Sequence, residues 1–243
     1  MIVILTGAGI SQESGLSTFR DSGGLWEKVR VEDVATPGAF RRDPDRVYDF
    51  YNARRRQLTD GPVKPNAAHL ALAGLERESA VEVLVVTQNV DDLHERAGSK
   101  NLLHMHGELL KARCVTCGMV LRWTKDLTGG DACPACGPMP DAGRGRPGRL
   151  RPDIVWFEEM PMHMPEIEQA LAQCALFVSI GTSGNVYPAA GFAAEAKAAG
   201  AKVLELNMEP SVNARRFHDG RYGPATKTVP AWVAELLADK ASL

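Results

Sequence analysis

The chain has 243 residues, a formal net charge of −2 at pH 7, and 44% hydrophobic and 24% charged residues. The length allows one sizeable core with at most a small additional module, and the charge gives no general reason to expect binding to nucleic acid or to a membrane. No apolar run approaches the ~18 residues of a spanning helix, and Met1 leads directly into an apolar segment that leaves no room for a signal peptide. We therefore expect a cytoplasmic protein, in which the five cysteines are reduced and better suited to a metal than to disulfides.

The first predicted element is a β-strand over residues 2–6, which runs into the turn Gly7-Ala8-Gly9. A strand, a glycine turn and the start of a helix form an arrangement that directs backbone N–H groups at a phosphate. The strict dinucleotide fingerprint fails, because Gln12 occupies its third glycine position. The turn alone is weak support for a nucleotide site, and it leaves an NAD(P) oxidoreductase open as one interpretation.

A helix is predicted from Pro44 to about Leu58, with Asp43 as its cap. Tyr51 and Arg54 fall on its apolar stripe at a spacing of i, i+3, so the two side chains could bind one carboxylate together. The alternative is that Arg54 pairs with a local aspartate while Tyr51 packs at the rim. The two arginines that follow, at positions 55 and 56, are expected on a solvated face.

Polar residues crowd the end of the next buried strand, which is predicted over residues 83–86. Ligands bind beyond the carboxyl ends of strands in open α/β sheets. A second apolar piece, Leu102-Leu103, delivers two histidines to the same edge. An amide, two carboxylates and an imidazole are therefore expected in one crevice, although a polar loop with solvated histidines remains the alternative. The side chains concerned are Gln88, Asn89, Asp91, Asp92, His94, His104 and His106.

Two C-x-x-C pairs predict a zinc site, formed by Cys114, Cys117, Cys133 and Cys136. Four thiolates close the coordination sphere, so the site is expected to be structural and not catalytic. The basic flank AGRGRPGRLRP keeps a nucleic-acid-binding zinc ribbon open as an alternative. Cys174 lies on an apolar helix face and is expected to be an inert core thiol.

The rest of the chain repeats strand, polar strand end and helix, which is typical of doubly wound α/β proteins. We predict an α/β fold in which a Rossmann-like parallel-sheet domain carries a smaller domain. The large domain is expected to comprise residues 1–20, 63–106 and 151–243. The small domain is expected to combine a helical insertion over 21–62 with a zinc-ribbon module over 107–150.

Several stretches of the chain resemble the sirtuin family, class III, the NAD-dependent protein lysine deacylases. They are GAGISQESGLSTFRDSGGLW, TQNVDDLHERAG, HMHGE, GTSGNVYPAAGF and NMEP. The stretch YNARRR resembles the Tyr-x-x-Arg element of the subclass that removes acidic acyl groups. The resemblance covers nearly the whole chain. It implies NAD as cosubstrate, one structural zinc, and acylated lysine side chains of proteins as substrates, with no membrane or nucleic-acid partner.

The resemblance also implies roles for individual residues. His106 would be the general base, Asn89 would position ribose and water, and Asp91 would help hold the carboxamide. Tyr51 and Arg54 would recognise an acidic acyl group. The segment Val155, Trp156 and Phe157 would pair with the substrate backbone, and the remaining cofactor contacts would be Gly7, Ala8, Gly9, Ile10, Glu13, Phe19, Arg20, Trp26, Gln88, Val90, Gly181, Thr182, Ser183, Asn207, Met208, Glu209 and Ala225.

The implied reaction is deacetylation, desuccinylation or demalonylation, with nicotinamide, O-acyl-ADP-ribose and free lysine as products. An NAD-dependent protein ADP-ribosyltransferase is the nearest alternative, because another nucleophile could intercept the same intermediate. The largest departure from the family pattern is Glu158, which stands where glycine is usual.

Overall fold

A computed structural model describes residues 1–16, 29–136 and 148–239. The strands are β1 (Ile2–Thr6), β2 (Val83–Thr87), β3 (Leu102–His104), β4 (Gly107–Cys114), β5 (Val120–Arg122), β6 (Leu150–Ile154), β7 (Leu176–Ile180), β8 (Lys202–Asn207) and β9 (Asp219–Tyr222). The helices are α1 (Gly9–Gln12), α2 (Val31–Val34), α3 (Pro37–Arg42), α4 (Pro44–Asp60), α5 (Ala67–Glu78), α6 (Leu93–Ala97), α7 (Met164–Gln173), α8 (Phe192–Ala198) and α9 (Ala225–Ala238), with two 3₁₀ turns at Ala189–Gly191 and Ala214–Arg216.

Six strands form a parallel sheet in the order β3-β2-β1-β7-β8-β9. Its central strand β1 is buried on both faces, as expected for a parallel sheet covered by helices. Ile2 and Ile4 pack into the core on one face, whereas Val3 and Leu5 pack into the core on the other. The two-residue repeat of a strand thus distributes one apolar run between two helix layers.

Two pairs of helices complete those layers. Helices α5 and α9 cover one face of the sheet, where Leu72 and Trp232 join the core, and α7 and α8 cover the other through Ile167 and Phe192. The chain runs outward from β1 to β3 and then returns to β7 beside β1. The strand order therefore reverses between β1 and β7, which is the point where doubly wound sheets bind their ligands.

A second, three-stranded antiparallel sheet has the order β5-β4-β6 and packs beneath α4. The hydroxyl of Tyr48 donates to the carbonyl of Leu150 at 2.6 Å, and the Asn52 amide donates to the carbonyl of Leu127 at 2.9 Å. These bonds join the helical segment to the small sheet. The predicted fold class, a Rossmann-like domain with a smaller domain, is confirmed. Strand β6 extends the small sheet to Ile154, past the boundary predicted at residue 150.

The prediction that Arg55 lies on a solvated face is wrong. Arg55 is fully buried, its Nε donates to the carbonyl of Leu109, and its Nη1 donates to Asn52 Oδ1 at 2.6 Å. The long side chain crosses the interface between α4 and β4, where a β-bulge leaves carbonyl groups to be satisfied. Arg56 does face solvent and pairs with Asp126. Burial lowers the pKa of Arg55 to about 10, so it remains a cation at neutral pH.

None of the helices in the described ranges is both long and apolar enough to span a membrane.

The four predicted cysteine ligands lie together at one end of the small sheet. The sulfur atoms of Cys114 and Cys136 are 3.8 Å apart, and those of Cys117 and Cys133 are 3.6 Å apart. Such distances exclude disulfides, and they match the ~3.8 Å edge of a tetrahedron whose centre is ~2.3 Å from each sulfur. The cluster is a structural zinc site. It joins the end of β4 to the segment that precedes β6, so the metal stabilises the small domain. Cys174 is buried in the large-domain core, as predicted.

Replacing a zinc ligand should unfold the small domain, because a structural zinc contributes folding free energy directly. We expect Cys114→Ser to lose its zinc in metal analysis and to melt at a lower temperature by circular dichroism. Cys174→Ala is the matched control, since that thiol lies outside the cluster, and it should retain one zinc per chain. A wild-type protein that is stable and active without zinc would contradict this assignment.

Candidate active site

A cavity of about 270 Å³ lies at the carboxyl ends of β1 and β7, where the strand order reverses. Its wall includes most of the residues predicted for cofactor binding. Those that line it are Gly7, Ala8, Gly9, Glu13, Gln88, Asn89, Gly181, Thr182, Ser183, Asn207, Met208 and Ala225, together with His106. Thus residues from six separate segments of the sequence form one continuous wall.

Two backbone segments meet at the floor of this cavity. The N–H of Gly9 donates to the carbonyl of Gly181 at 2.9 Å. A Cβ atom at Gly7 would lie 2.8 Å from the Gly181 oxygen, and one at Gly9 would lie 2.8 Å from the Gly181 Cα. Gly181 itself adopts a φ of +62°, a conformation that disfavours side chains. Glycine is therefore required on both sides, and the short helix α1 starts directly at the cavity wall.

His106 is the imidazole that reaches the cavity. Its Nδ1 lies 3.1 Å from the carbonyl of Gln88, and because a carbonyl only accepts, Nδ1 carries the proton. The lone pair of Nε2 is then free to act as a base. Burial lowers the pKa of His106 below its ordinary value, although the bond to Gln88 opposes that effect. The imidazole is consequently neutral at pH 7.

Asn89 is held rigidly in the same loop. Its backbone N–H donates to Thr87 Oγ1 at 3.0 Å, and its side-chain amide donates to the carbonyl of Gly7 and to Ser11 Oγ, both at 3.1 Å. The loop after β2 is therefore fixed directly to the turn after β1.

Asp91 and three other predicted contacts do not line the cavity. Asp91 is 7% exposed, and its carboxylate accepts from the Ser11 hydroxyl and from the N–H of Leu93, both at 3.1 Å. Burial raises its pKa to about 6, more than these hydrogen bonds lower it. The expected convergence of two carboxylates with the amide and imidazole is thus not found: Asp91 points inward and Asp92 lies near Arg96. Ile10 is buried, Val90 is half-buried and Glu209 is exposed. Phe19, Arg20 and Trp26 lie outside the described residues.

The far end of the cavity is shaped by hydrogen bonds between loops. The Asn207 amide donates to the carbonyl of Thr182 at 2.8 Å, so the loops after β7 and β8 are linked. Buried Glu205 accepts from the Tyr222 hydroxyl at 3.1 Å. Glu13 accepts from both the N–H and the hydroxyl of Thr226, at 3.0 and 2.7 Å, and so caps the start of α9. Glu13 therefore has a structural partner as well as a place in the cavity wall.

Four further residues of the wall and the polar network behind it were not predicted from the sequence. Gln12, Val186, Leu206 and Gly223 also line the cavity. Behind it, His94 Nε2 lies 3.0 Å from Thr6 Oγ1, which bonds to Thr87 Oγ1 at 2.9 Å. The sequence signal for this network was a polar residue at the end of each strand. The pairing of β1 with β2 in the folded sheet is what places Thr6 opposite Thr87.

A second group of predicted residues lies in the small domain. Tyr51 is buried, and its hydroxyl accepts from the Trp156 indole N–H at 3.0 Å. The guanidinium of Arg151 covers the Trp156 ring at 3.3 Å and pairs with Glu159 at 2.6 and 2.9 Å. Glu159 in turn accepts from the Trp156 backbone N–H at 2.8 Å. This ion pair fixes the ring that orients Tyr51.

Arg54 is half-buried one turn after Tyr51. Its Nη1 donates to the carbonyl of Phe50 at 2.6 Å, and its guanidinium stacks on the Phe50 ring at 3.5 Å. Its Nε is buried without a hydrogen-bond partner among the described residues. The alternative interpretation, in which Arg54 pairs with a local aspartate, finds no such ion pair in the described part of the chain. Arg54 thus holds a buried cationic N–H donor without a partner in the described part of the small domain.

The segment after β6 has backbone hydrogen bonds on both edges: on one, the Trp156 N–H donates to the Glu159 carboxylate and the Trp156 carbonyl accepts from the Glu159 N–H. The N–H of Val155 donates to the carbonyl of His106 at 2.9 Å, and the N–H of Phe157 donates to the carbonyl of Ala35 at 3.0 Å. The Phe157 side chain is 47% exposed. Exposed Glu158 has a φ of +75°, the left-handed region in which a residue with a side chain is strained. This explains why glycine is the usual residue at the position.

Relieving that strain should stabilise the protein. We expect Glu158→Gly to raise the free energy of unfolding by about 1 kcal/mol, less a few tenths for the greater freedom of glycine in the unfolded chain. Glu158→Ala is the matched control, because it removes the carboxylate but keeps the strain. Denaturant titration of both variants measures the difference, and equal stabilisation by alanine would assign the effect to charge.

Comparison with known proteins agrees with this geometry. The Sir2 family matches residues 7–188. A protein of Leishmania major named as an NAD-dependent protein deacylase is 58% identical over 98% of this chain and 96% of its own length. An NAD-dependent protein deacylase of Vibrio vulnificus is 55% identical over 98% of this chain and 94% of its own.

Solved structures are similar along the whole chain. A Sir2 homologue in complex with NAD superposes with a TM-score of 0.82 at 34% identity, covering 100% of this chain and 90% of that one. A Sir2 homologue variant in complex with ADP-ribose superposes with a TM-score of 0.85 at 34% identity, covering 100% of this chain and 93% of that one. The class III resemblance is confirmed, and the chain belongs to the Sir2 family.

Proposed function

We propose that this protein is an NAD-dependent protein lysine deacylase that acts on acetyl-lysine and on the acidic succinyl- and malonyl-lysine. The observation that carries the proposal is His106: a neutral imidazole presents a free Nε2 to a cavity built by two glycine-rich strand ends. The names of the close relatives support the general activity. The activity on acidic acyl groups rests on Tyr51 and Arg54.

The cavity suits NAD for two physical reasons. Glycines at both strand ends allow backbone atoms to approach a pyrophosphate closely. The amide of Asn207, the last residue of β8, lies where a ribose would be bound in a doubly wound fold. When bound, NAD supplies an electrophilic ribose carbon with nicotinamide as its leaving group, and a ribose hydroxyl that takes up the acyl group.

The residues around His106 then have separate tasks. The carbonyl of Gln88 holds the proton on Nδ1 and so directs Nε2 at the ribose hydroxyl, from which it removes a proton. Asn89 is fixed by its bonds to Gly7 and Ser11 and would position ribose and water. Asp91 is buried behind the loop and stabilises the conformation of the loop by accepting hydrogen bonds from Ser11 and Leu93. It would therefore assist carboxamide binding indirectly, through the loop.

An acidic acyl group would be recognised by two donors. The Tyr51 oxygen accepts from Trp156, which leaves the hydroxyl proton of Tyr51 available for donation. Burial raises the pKa of Tyr51, so that proton is retained. Arg54 remains charged, since burial lowers its pKa only to about 10, and its Nε lacks a partner in the described part of the chain. Together they offer charge-assisted hydrogen bonds to one carboxylate.

Product analysis tests the proposal directly. The protein would be incubated with NAD and acetyl- or succinyl-lysine peptides, and the products identified by mass spectrometry. Free lysine, nicotinamide and O-acyl-ADP-ribose are expected. ADP-ribosylated peptide would indicate a transferase, and reduced cofactor an oxidoreductase. The cytoplasmic location and the absence of a nucleic-acid partner remain predictions from the sequence.

His106→Ala should lower kcat by roughly 10²- to 10⁴-fold, the usual contribution of a general base, while NAD affinity measured by calorimetry stays near that of the wild type. In the wild type, kcat/KM should hold while His106 is neutral and fall as pH drops through its pKa. Because burial lowers that pKa, the acid midpoint should lie below ~6.5. Near-normal turnover by the variant would exclude His106 as the base.

Arg54→Met should damage desuccinylation selectively, because hydrogen bonds to a charged group are worth about 1.5–3 kcal/mol. We expect kcat/KM to fall roughly 10- to 100-fold on a succinyl-lysine peptide, with little change on the acetyl-lysine peptide. Arg56→Met is the matched control, since that side chain faces solvent and pairs with Asp126, and it should leave both rates near normal. Equal losses on both peptides in Arg54→Met would assign Arg54 to the fold.

A further inference from the structure

A second histidine, His104, lies directly behind the loop that carries Asn89. It is buried at the end of β3, opposite Thr87 of β2. Its Nδ1 lies 3.1 Å from the carbonyl oxygen of Asn89, and its Nε2 lies 2.8 Å from Glu95 Oε1 on α6. These two residues, His104 and Glu95, have no task in the proposed reaction.

The two contacts determine how many protons the ring carries. A carbonyl oxygen only accepts hydrogen bonds, so Nδ1 must be protonated. A carboxylate also only accepts, and a 2.8 Å contact with Nε2 requires a second proton between the two atoms. His104 therefore bonds to both partners as an imidazolium. His106 uses its Nδ1 in the same way, on the preceding carbonyl, but has no carboxylate on Nε2.

The charges around the ring agree with that state. Burial disfavours the imidazolium, but the hydrogen bond and charge of Glu95, with Glu108 on β4, raise the pKa of His104 above its ordinary value. Lys111 is paired with Glu108 and offsets part of its charge. The other ionisable groups near the ring are Asp91 in the loop, whose pKa burial raises to about 6, and His94 on α6, which is neutral because burial lowers its pKa well below the ordinary value.

We propose that His104 is a positioning residue for the deacylation reaction, held as an imidazolium by Glu95 so that it fixes the Asn89 peptide. This inference rests on the proposed function. With this bond Asn89 is held through its N–H, its side chain and its carbonyl, by Thr87, Gly7 and His104 respectively. A neutral His104 keeps one ring proton, and Glu95, the stronger acceptor, holds it on Nε2. A ring lone pair on Nδ1 would then face the Asn89 carbonyl, and Asn89 would lose its third bond.

The test uses two glutamine variants of the full-length zinc-loaded protein. In Glu95→Gln the new amide can donate to Nε2 of a neutral His104, so the bond to Asn89 survives without the second proton. Glu108→Gln is the matched control, because it removes a nearby charge but no bond to His104. NMR titration of labelled histidine rings, with the His104 signal assigned from the His104→Asn variant, measures the protonation of His104. The pH dependence of kcat on an acetyl-lysine peptide measures the effect of that protonation on the reaction.

We expect His104 of the wild type to titrate above ~6.5, and Glu95→Gln to lower that midpoint by about 1–3 pH units, more than Glu108→Gln does. The kcat of the wild type should decline at alkaline pH with the same midpoint as His104, and Glu95→Gln should lose this decline while retaining activity at pH 7. A wild-type midpoint at or below ~6.5, or equal shifts in both variants, would overturn the imidazolium pair. A shifted titration with an unchanged kcat profile would overturn the positioning role. A wild-type protein that deacylates nothing, yet titrates as expected, would locate the failure in the proposed function.

Discussion

The contact between the backbone segments that follow β1 and β7 is the constraint on which the rest of the structure depends. The Gly9 N–H donates to the Gly181 carbonyl, and side chains at either position would collide with backbone atoms. Backbone this close cannot shift to accommodate a Cβ, so the geometry of the cavity floor is determined by residues that have no side chain. Every group that lines the cavity is placed relative to this contact, directly or through the sheet.

Hydrogen bonds between strand ends connect the cavity floor to the surrounding loops. The loop after β2 is bonded to the turn after β1 through Asn89 and Gly7, and the loop after β8 is bonded to the loop after β7 through Asn207 and Thr182. The small domain is secured separately. Its zinc site and the pairing of Arg151 with Glu159 hold the segment that contains Trp156. The two regions meet where the N–H of Val155 donates to the carbonyl of His106.

The motif that contains His104 and His106 illustrates how surroundings give the same side chain different chemistry. Both rings donate from Nδ1 to neighbouring carbonyls of one loop. Glu95 contacts the outer nitrogen of His104 and raises its pKa, whereas burial without a carboxylate lowers that of His106. One ring is therefore suited to hold the loop and the other to accept a proton. The spacing of the two histidines in the sequence does not distinguish them.

Local sequence determined the strands, the helix caps and the zinc ligands, because each depends on neighbouring residues. The run before Thr87 is apolar over the length of a buried strand. Asp43 accepts from the N–H of Arg46 at the start of α4. The two cysteines of each C-x-x-C pair are close in the sequence, so their spacing alone indicates a metal site. The resemblance of short motifs was enough to identify the family and to place most of the cavity wall. These features can be predicted without knowing which residues pack against them.

Only the tertiary structure decided the positions that depend on distant partners. Arg55 is buried because Leu109 and Asn52 accept hydrogen bonds from its guanidinium. Asp91 points inward because Ser11 and Leu93 donate hydrogen bonds to its carboxylate. The left-handed backbone of Glu158 lies between two bonded neighbours, since the N–H of Phe157 donates to the Ala35 carbonyl and the N–H of Glu159 to the Trp156 carbonyl. In each case the free energy of a polar group depends on whether a partner lies within about 3 Å once water has been excluded. The sequence by itself determined which groups were present, and the packing of segments far apart in the chain decided which of them met.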